Sequence, residues 1–309
     1  MERPALTMPH TGRVALVATG AVAAVGLAAW AAASRVYADR LLHPVRQPAG
    51  PTPATFGLAY EEDEFQTVDR LTLRGWWIPG ARRGTVILLH GVGGSRGVFL
   101  SRCTFLHEAG FDLLLYDQRG TGLSDGRQIT VGAREVEDAS TAIDHVLRER
   151  GPAPIVLFGH SLGAATAVMA GAEDERVRAV IDDSGFASVE DLIDTTGRRY
   201  TGPIPPTWIA APVMTMLRWQ HGVDLRAIRP IDAVRRLRAP LLVLSGARDR
   251  IVPLEHQRMV AADAGGPCEH VVFPDADHDN AHDLEPRRYE QAVLGFLERA
   301  LGAWPRSGP

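Results

Sequence analysis

The stretch Ile155-Val156-Leu157-Phe158-Gly159-His160-Ser161-Leu162-Gly163-Ala164-Ala165-Thr166-Ala167-Val168-Met169-Ala170 decides the fold of this chain. Its first four residues form a short apolar run that suits a buried strand. Its last seven are mostly small and helix-forming. Between them a serine stands on a sharp strand-to-helix turn. Such a turn strains the serine backbone, and bulky residues two positions to either side would clash, so glycines at 159 and 163 are required. The turn also sets the Ser161 oxygen at a helix N-terminus, near backbone N–H donors and the positive end of a dipole. Many chains contain these five residues by chance; the strand before and the helix after make the match specific.

Outward from this turn, apolar runs alternate with helical segments: Thr85 to Leu89, Asp112 to Tyr116, Ala179 to Asp182, Leu241 to Ser245 and His270 to Phe273. Runs apolar on both faces fit strands covered by helices. Arg134 to Arg150 reads as an amphipathic helix with Val136, Ala139, Ile143 and Val146-Leu147 on one face, and Pro286 to Leu301 as a closing helix. Glu64 to Val68 and Leu71 to Trp77 flank Asp69-Arg70 and predict a hairpin. The sum is an α/β fold, a mostly parallel eight-stranded sheet flanked by helices, with the hairpin adding antiparallel strands at one edge. In such sheets sites form where loops leave the carboxyl ends of strands.

Those loops hold the chemistry. A serine alcohol needs a base to take its proton. Pro274-Asp275-Ala276-Asp277-His278-Asp279-Asn280 follows the last strand run and offers His278. His270 falls within a strand, His256 on a surface helix, and His282 is a further structural candidate. Asp249 lies in the loop Gly246 to Pro253, 88 residues after Ser161 and 29 before His278, and would hold the imidazole in one tautomer. Its rivals are Asp182 and Asp183; Asp277 is adjacent to His278, and neighbouring loop side chains usually point apart. His90-Gly91-Val92-Gly93-Gly94 follows the Thr85 run, and its glycines let the backbone curl beneath a reacting carbonyl. The N–H groups of Val92 and Leu162 would stabilise an oxyanion, and losing one such donor costs about 3 kcal/mol. His90 itself, and the loop Asp117 to Ser124, read as hydrogen-bonded structure.

The chain has 309 residues, with 33 basic against 37 acidic, for a net charge of −4. Without a basic block, nucleic acid is not an expected partner. The two cysteines, Cys103 and Cys268, have no metal-ligand spacing, which excludes a disulfide scaffold and a structural zinc site. Every basic residue is arginine, so a lysine Schiff base is impossible. No cofactor or metal is expected. Val14 to Ala33 is an uncharged run of 20 residues, about 30 Å as a helix and so long enough for a membrane anchor. A signal peptide cleaved near Ala31-Ala32-Ala33 and a soluble helix are the alternatives. The favoured reading is a single-pass N-terminal anchor in residues 1–43, its membrane side left open because Arg3 and Arg13 balance Arg35, Arg40 and Arg46. A Pro-rich tether would follow at 44–57, then one domain at 58–304 and a tail at 305–309. Within the domain, about 185–238 reads as a lid of two short helices, Val189 to Tyr200 and Thr207 to Gln220. Trp208, Met214 and Trp219 on the second either pack on the core or wall an apolar pocket.

The motifs His-Gly at 90, Asp-x-Arg-Gly-x-Gly-x-Ser at 117, Gly-His-Ser-x-Gly at 159, Gly-x-x-Asp-x-x-Val-Pro at 246 and the late His278 occur in an order that resembles the α/β-hydrolase superfamily over nearly the whole domain. Gly57-Leu58-Ala59-Tyr60-Glu61 and Leu73 to Pro79 look most like the membrane-anchored hydrolases of the Bem46 and ABHD13 type, and the serine aminopeptidase-like (S33) hydrolases are also similar. That subgroup often carries asparagine where Val92 stands, a departure that leaves the backbone donor intact. The resemblance implies a serine hydrolase: Ser161 attacks a carboxylic ester or related acyl bond, His278 carries the proton, Asp249 orients it, and water cleaves the acyl-enzyme. Its expected partners are a small or lipid-like acyl substrate and the membrane; oligomeric state is open. Peptidase or thioesterase chemistry on the same machinery, and a non-catalytic membrane-anchored binding protein, are the alternatives. An aspartate-nucleophile enzyme is disfavoured by the serine at the elbow.

Overall fold

The computed structural model describes residues 25–302 apart from 27, 37, 48 and 49. Eight strands form one sheet in the order β1-β2-β4-β3-β5-β6-β7-β8. Their ranges are β1 Glu61–Gln66, β2 Thr72–Ile78, β3 Thr85–Leu89, β4 Asp112–Tyr116, β5 Ile155–His160, β6 Val177–Asp183, β7 Leu241–Gly246 and β8 Cys268–Phe273. β1 and β2 are antiparallel to each other and β2 to β4, while every later pairing is parallel. The uniformly apolar runs have a simple cause. Val86 and Leu88 enter the core on one face of the sheet, Ile87 and Leu89 the core on the other. The same alternation repeats in β4, β5 and β7, because helices cover both faces.

The hairpin starts three residues earlier than its apolar pattern predicts, since β1 opens with Glu61-Glu62-Asp63. These acids satisfy themselves sideways at the sheet edge. Glu61 pairs with Arg150 at 2.8 Å, Glu62 accepts from the Trp76 indole at 3.1 Å, and Asp63 meets His145 at 2.9 Å. A charged edge strand also resists pairing with a second sheet. Arg70, in the turn, takes the left-handed conformation (φ 66°).

The two helices of the expected lid span Val189–Thr201 and Pro206–His221. Beneath them lies a third apolar core that includes Leu162, Phe186, Met214 and Leu217. Ala38 and Leu42 belong to this core too, which corrects the picture of the N-terminal region. No helix among the described residues is long and apolar enough to cross a membrane. Most of the expected 14–33 anchor lies outside the described residues, but 28–36 and 38–42 are helical. Ser34, Ala38 and Leu42 are buried at four-residue spacing, one stripe of a helix turned toward protein. The expectation of a single-pass membrane protein is therefore overturned. The following segment is docked as well: Arg46 donates to the carbonyls of Ser124 at 2.7 Å and Gly122 at 3.2 Å, and to that of Gly126.

Candidate active site

The end of β5 runs into the helix Leu162–Glu173 through a single residue, Ser161, at φ 56° and ψ −117°. A non-glycine residue held there stores on the order of 1–3 kcal/mol of strain. The surrounding backbone enforces it. Ser161 donates its N–H to Asp183 O at 2.8 Å, and its carbonyl accepts from Ala164 and Ala165 at 3.0 and 3.1 Å. The flanking glycines are fixed by space: a Cβ on Gly159 would lie 2.1 Å from Gly163 O, and one on Gly163 only 1.9 Å from Leu89 O. Both contacts are with main chain, so no side-chain rotation relieves them.

His278 sits in the loop after β8 with Nε2 2.9 Å from Ser161 Oγ. Its Nδ1 lies 2.7 Å from Asp249 Oδ2, in the loop after β7. A carboxylate only accepts, so Nδ1 carries the hydrogen and Nε2 is left as the acceptor for the serine proton. Asp249 is held in turn, because its Oδ1 accepts from the N–H groups of Ile251 and Val252, both at 2.8 Å. Three residues from three loops thus meet in a line of hydroxyl, imidazole and carboxylate. On the other side of Ser161 stands the loop at Gly91, where an added Cβ would lie 3.1 Å from the serine Cβ. Val92 and Leu162 both line the cavity beside Ser161. Leu162 is the first residue of its helix, so its N–H has no intrahelical acceptor.

The rival groups have other work. Asp182 accepts from Gly185 N–H at 2.7 Å, and burial lifts its pKa to about 7. Asp183 accepts from the Tyr289 hydroxyl at 2.6 Å. Asp277 is exposed and caps Asp279 N–H at 3.2 Å. His90 is buried, with Nδ1 2.8 Å from Gly91 O and Nε2 accepting from Gln118 N–H at 3.0 Å; burial pushes its pKa down, consistent with a neutral ring. His270 meets Ser245 Oγ at 2.8 Å, and His282 meets Glu290 at 3.4 Å. His256 is buried beneath its helix, where its ring nitrogen accepts from Ala187 N–H at 3.4 Å, and does not lie at the surface as expected. The loop Asp117 to Ser124 is structural: Asp117 is buried and accepts from Arg96 and Leu123 N–H at 2.7 and 2.9 Å, and Arg119 forks onto Asp138 at 2.6 Å.

One cluster beside Ser161 went unnoticed in the sequence. His160 Nε2 lies 2.9 Å from Asp279 Oδ1, and its Nδ1 is 3.8 Å from Asp183 Oδ2. Burial works against the charged ring, but the two carboxylates outweigh it and lift the His160 pKa to about 9. Asp183 is also buried, yet His160, Arg102 (3.5 Å) and Tyr289 hold its pKa down to about 2. The hint was in the order of residues, an aspartate directly after His278 and a histidine directly before Ser161. His160, His278 and Asp279 could offer a cation three ligand atoms within 4.8 Å of one another, at the cost of drawing His278 from Ser161.

Above Ser161 opens a cavity of about 1250 Å³. Ile193, Ile209, Val213 and Met214 of the lid helices supply much of its apolar wall. Met214 is where the pocket reading put it. Trp208 and Trp219 are not: they are 73% and 86% exposed and do not line the cavity. Trp30, Ala33, Ser34 and Leu41, from the supposed anchor and its continuation, complete the wall.

Sheet order, elbow and loop positions together define the α/β-hydrolase fold. The chain belongs to the α/β-hydrolase superfamily. A family model described as serine aminopeptidase, S33, matches residues 80–219. Polyketide transferase ATR5 of Stachybotrys chlorohalonatus is 39% identical over 291 residues, 78% of this chain and 97% of that one. The α/β-hydrolase domain-containing protein WAV2 of Arabidopsis thaliana is 28% identical over 258 residues, 80% of this chain and 82% of its own. Among solved structures, the Pyrococcus furiosus esterase Pf2001 superposes with a TM-score of 0.71 at 25% identity, over 85% of this chain and 99% of that chain.

Proposed function

We propose that the protein is a serine hydrolase that cleaves carboxylic esters of apolar acyl groups through an acyl-enzyme. The observation that carries this reading is the Ser161–His278–Asp249 alignment, 2.9 and 2.7 Å from atom to atom at the floor of an apolar cavity. His278 removes the Ser161 proton as Oγ attacks the acyl carbon. The oxyanion is met by the N–H groups of Val92 and Leu162, and Asp249 stabilises the imidazolium that forms. His278 then protonates the leaving alcohol and afterwards activates water against the ester on Ser161. The esterase neighbour and the hydrolase family model support the chemistry; the Leu73 to Pro79 stretch supports a place near the Bem46 and ABHD13 type.

A fluorophosphonate probe tests it. Purified wild type should be labelled and should hydrolyse p-nitrophenyl esters, while Ser161→Ala should lose the label and about 10⁶-fold in kcat. Folded wild type that refuses the probe, with and without detergent, would favour a binding protein instead. A second reading, transfer of the acyl group to an alcohol or amine rather than water, is favoured by the likeness to polyketide transferase ATR5. It predicts that an added alcohol acceptor diverts product from free acid to new ester.

A further inference from the structure

We infer that the N-terminal segment carrying Trp30, Ala33, Ser34 and Leu41 is a wall of the substrate cavity and sets which acyl chains enter, an inference that rests on the acyl-cavity reading above. The segment is fastened to the domain at several points. Ala38 and Leu42 share an apolar core with Leu162 and Met214. The Leu42 carbonyl accepts from Ile129 N–H at 2.8 Å. His221, at the end of the second lid helix, approaches Asp39 at 3.7 Å and packs edge-on against His43, ring centres 6.0 Å apart. Pro44 then meets the oxyanion loop, with its Cβ 3.7 Å from where a Gly93 Cβ would stand.

These contacts tie the segment to the lid, to the loop at 129 and to the loop beside Ser161, all of which border the same cavity. Trp30 and Ala33 line that cavity while keeping surface exposed, so their size sets its room without supporting the core. At about 1250 Å³ the space exceeds what a short acyl group fills, which suits a long or branched chain lying against this wall. Few polar side chains of the segment face it; Ser34 is one, and it is nearly buried. The segment therefore selects by volume and apolar contact.

The test uses the full chain with two substitutions on exposed positions, so that folding is not at stake. Ala33→Trp should lower the ratio of kcat/KM for p-nitrophenyl laurate over butyrate about tenfold, and Trp30→Ala should raise it about fivefold, the scale at which one or two methylenes are discriminated in an apolar pocket. Ratios within about twofold of wild type in both variants would overturn the inference. A binding arm separates this outcome from failure of the hydrolase reading. In a Ser161→Ala background, adding Ala33→Trp should weaken binding of the fluorescent fatty acid cis-parinaric acid about tenfold. Equal binding with and without Ala33→Trp overturns the wall, whatever Ser161 does chemically. Absent ester turnover with the binding difference intact would sink the hydrolase reading and keep the wall.

Discussion

The floor and the roof of the cavity are built on different terms. At the floor, backbone approaches backbone: Gly159 against Gly163, Gly163 against Leu89, and Ser161 held at positive φ. There one added carbon meets main chain with nowhere to go. The roof is made of the lid helices with Trp30, Ala33, Ser34 and Leu41, which meet through side chains over the third apolar core. It tolerates irregularity, since Pro212 sits inside the helix Pro206–His221, where it forfeits a backbone hydrogen bond. The floor is specified atom by atom and the roof by volume and apolarity.

The largest effect that would sharpen this contrast is at Asp249. Asp249→Asn should lower kcat about 10⁴-fold by favouring the wrong His278 tautomer. Its Oδ1 bonds to Ile251 and Val252 remain possible, so the circular dichroism spectrum should be unchanged. Gly163→Ala comes next. A Cβ at 1.9 Å from Leu89 O should destabilise by about 3 kcal/mol, a fall in Tm of about 6–10 °C by calorimetry. A stable Gly163→Ala variant would break the claim that the floor admits no added carbon.

Beneath the floor, Asp182 gives a smaller effect with a defined sign. Its folded pKa of about 7 lies above its ordinary 3.8, so the stability contributed by the neutral carboxyl is complete below about pH 4 and lost as pH rises through 7. Asp182→Asn should stabilise the protein at pH 8 and change its stability little at pH 4 in urea unfolding. An equal change at both pH values would show that Asp182 is not held neutral by burial. The smallest effect belongs to the roof's outer face. Trp219→Ala should change stability by less than about 0.5 kcal/mol and leave acyl-chain preference as it was, because the side chain is 86% exposed. A shift in chain preference would place that face in contact with substrate after all.

Much of the floor was legible beforehand because its constraints are local. A strand covered on both faces must be apolar throughout, and a strained serine needs glycines two residues away. β3 and β4 accordingly begin and end where their apolar runs do. Ser161, Asp249 and His278 were picked out by the loops that carry them, and the fold brings those loops together. β1 was misplaced because an edge strand carries acids that only a partner strand and helix explain. The two lid tryptophans were misjudged because composition says nothing about which way a helix faces.

The sequence by itself determined the layered sheet, the elbow and the order of the chemical loops, since each follows from spacing within a few residues. Tertiary structure alone decided the rest. It set His160 against Asp279 across 119 positions and Tyr289 against Asp183 across 106. It also placed Trp30 and Ala33, from the end of an alanine-rich stretch that resembled an anchor, in the cavity wall. An apolar helix face must be covered by something, and whether lipid or protein covers it depends on which surface the folded chain presents. Here Ala38 and Leu42 found Leu162 and Met214.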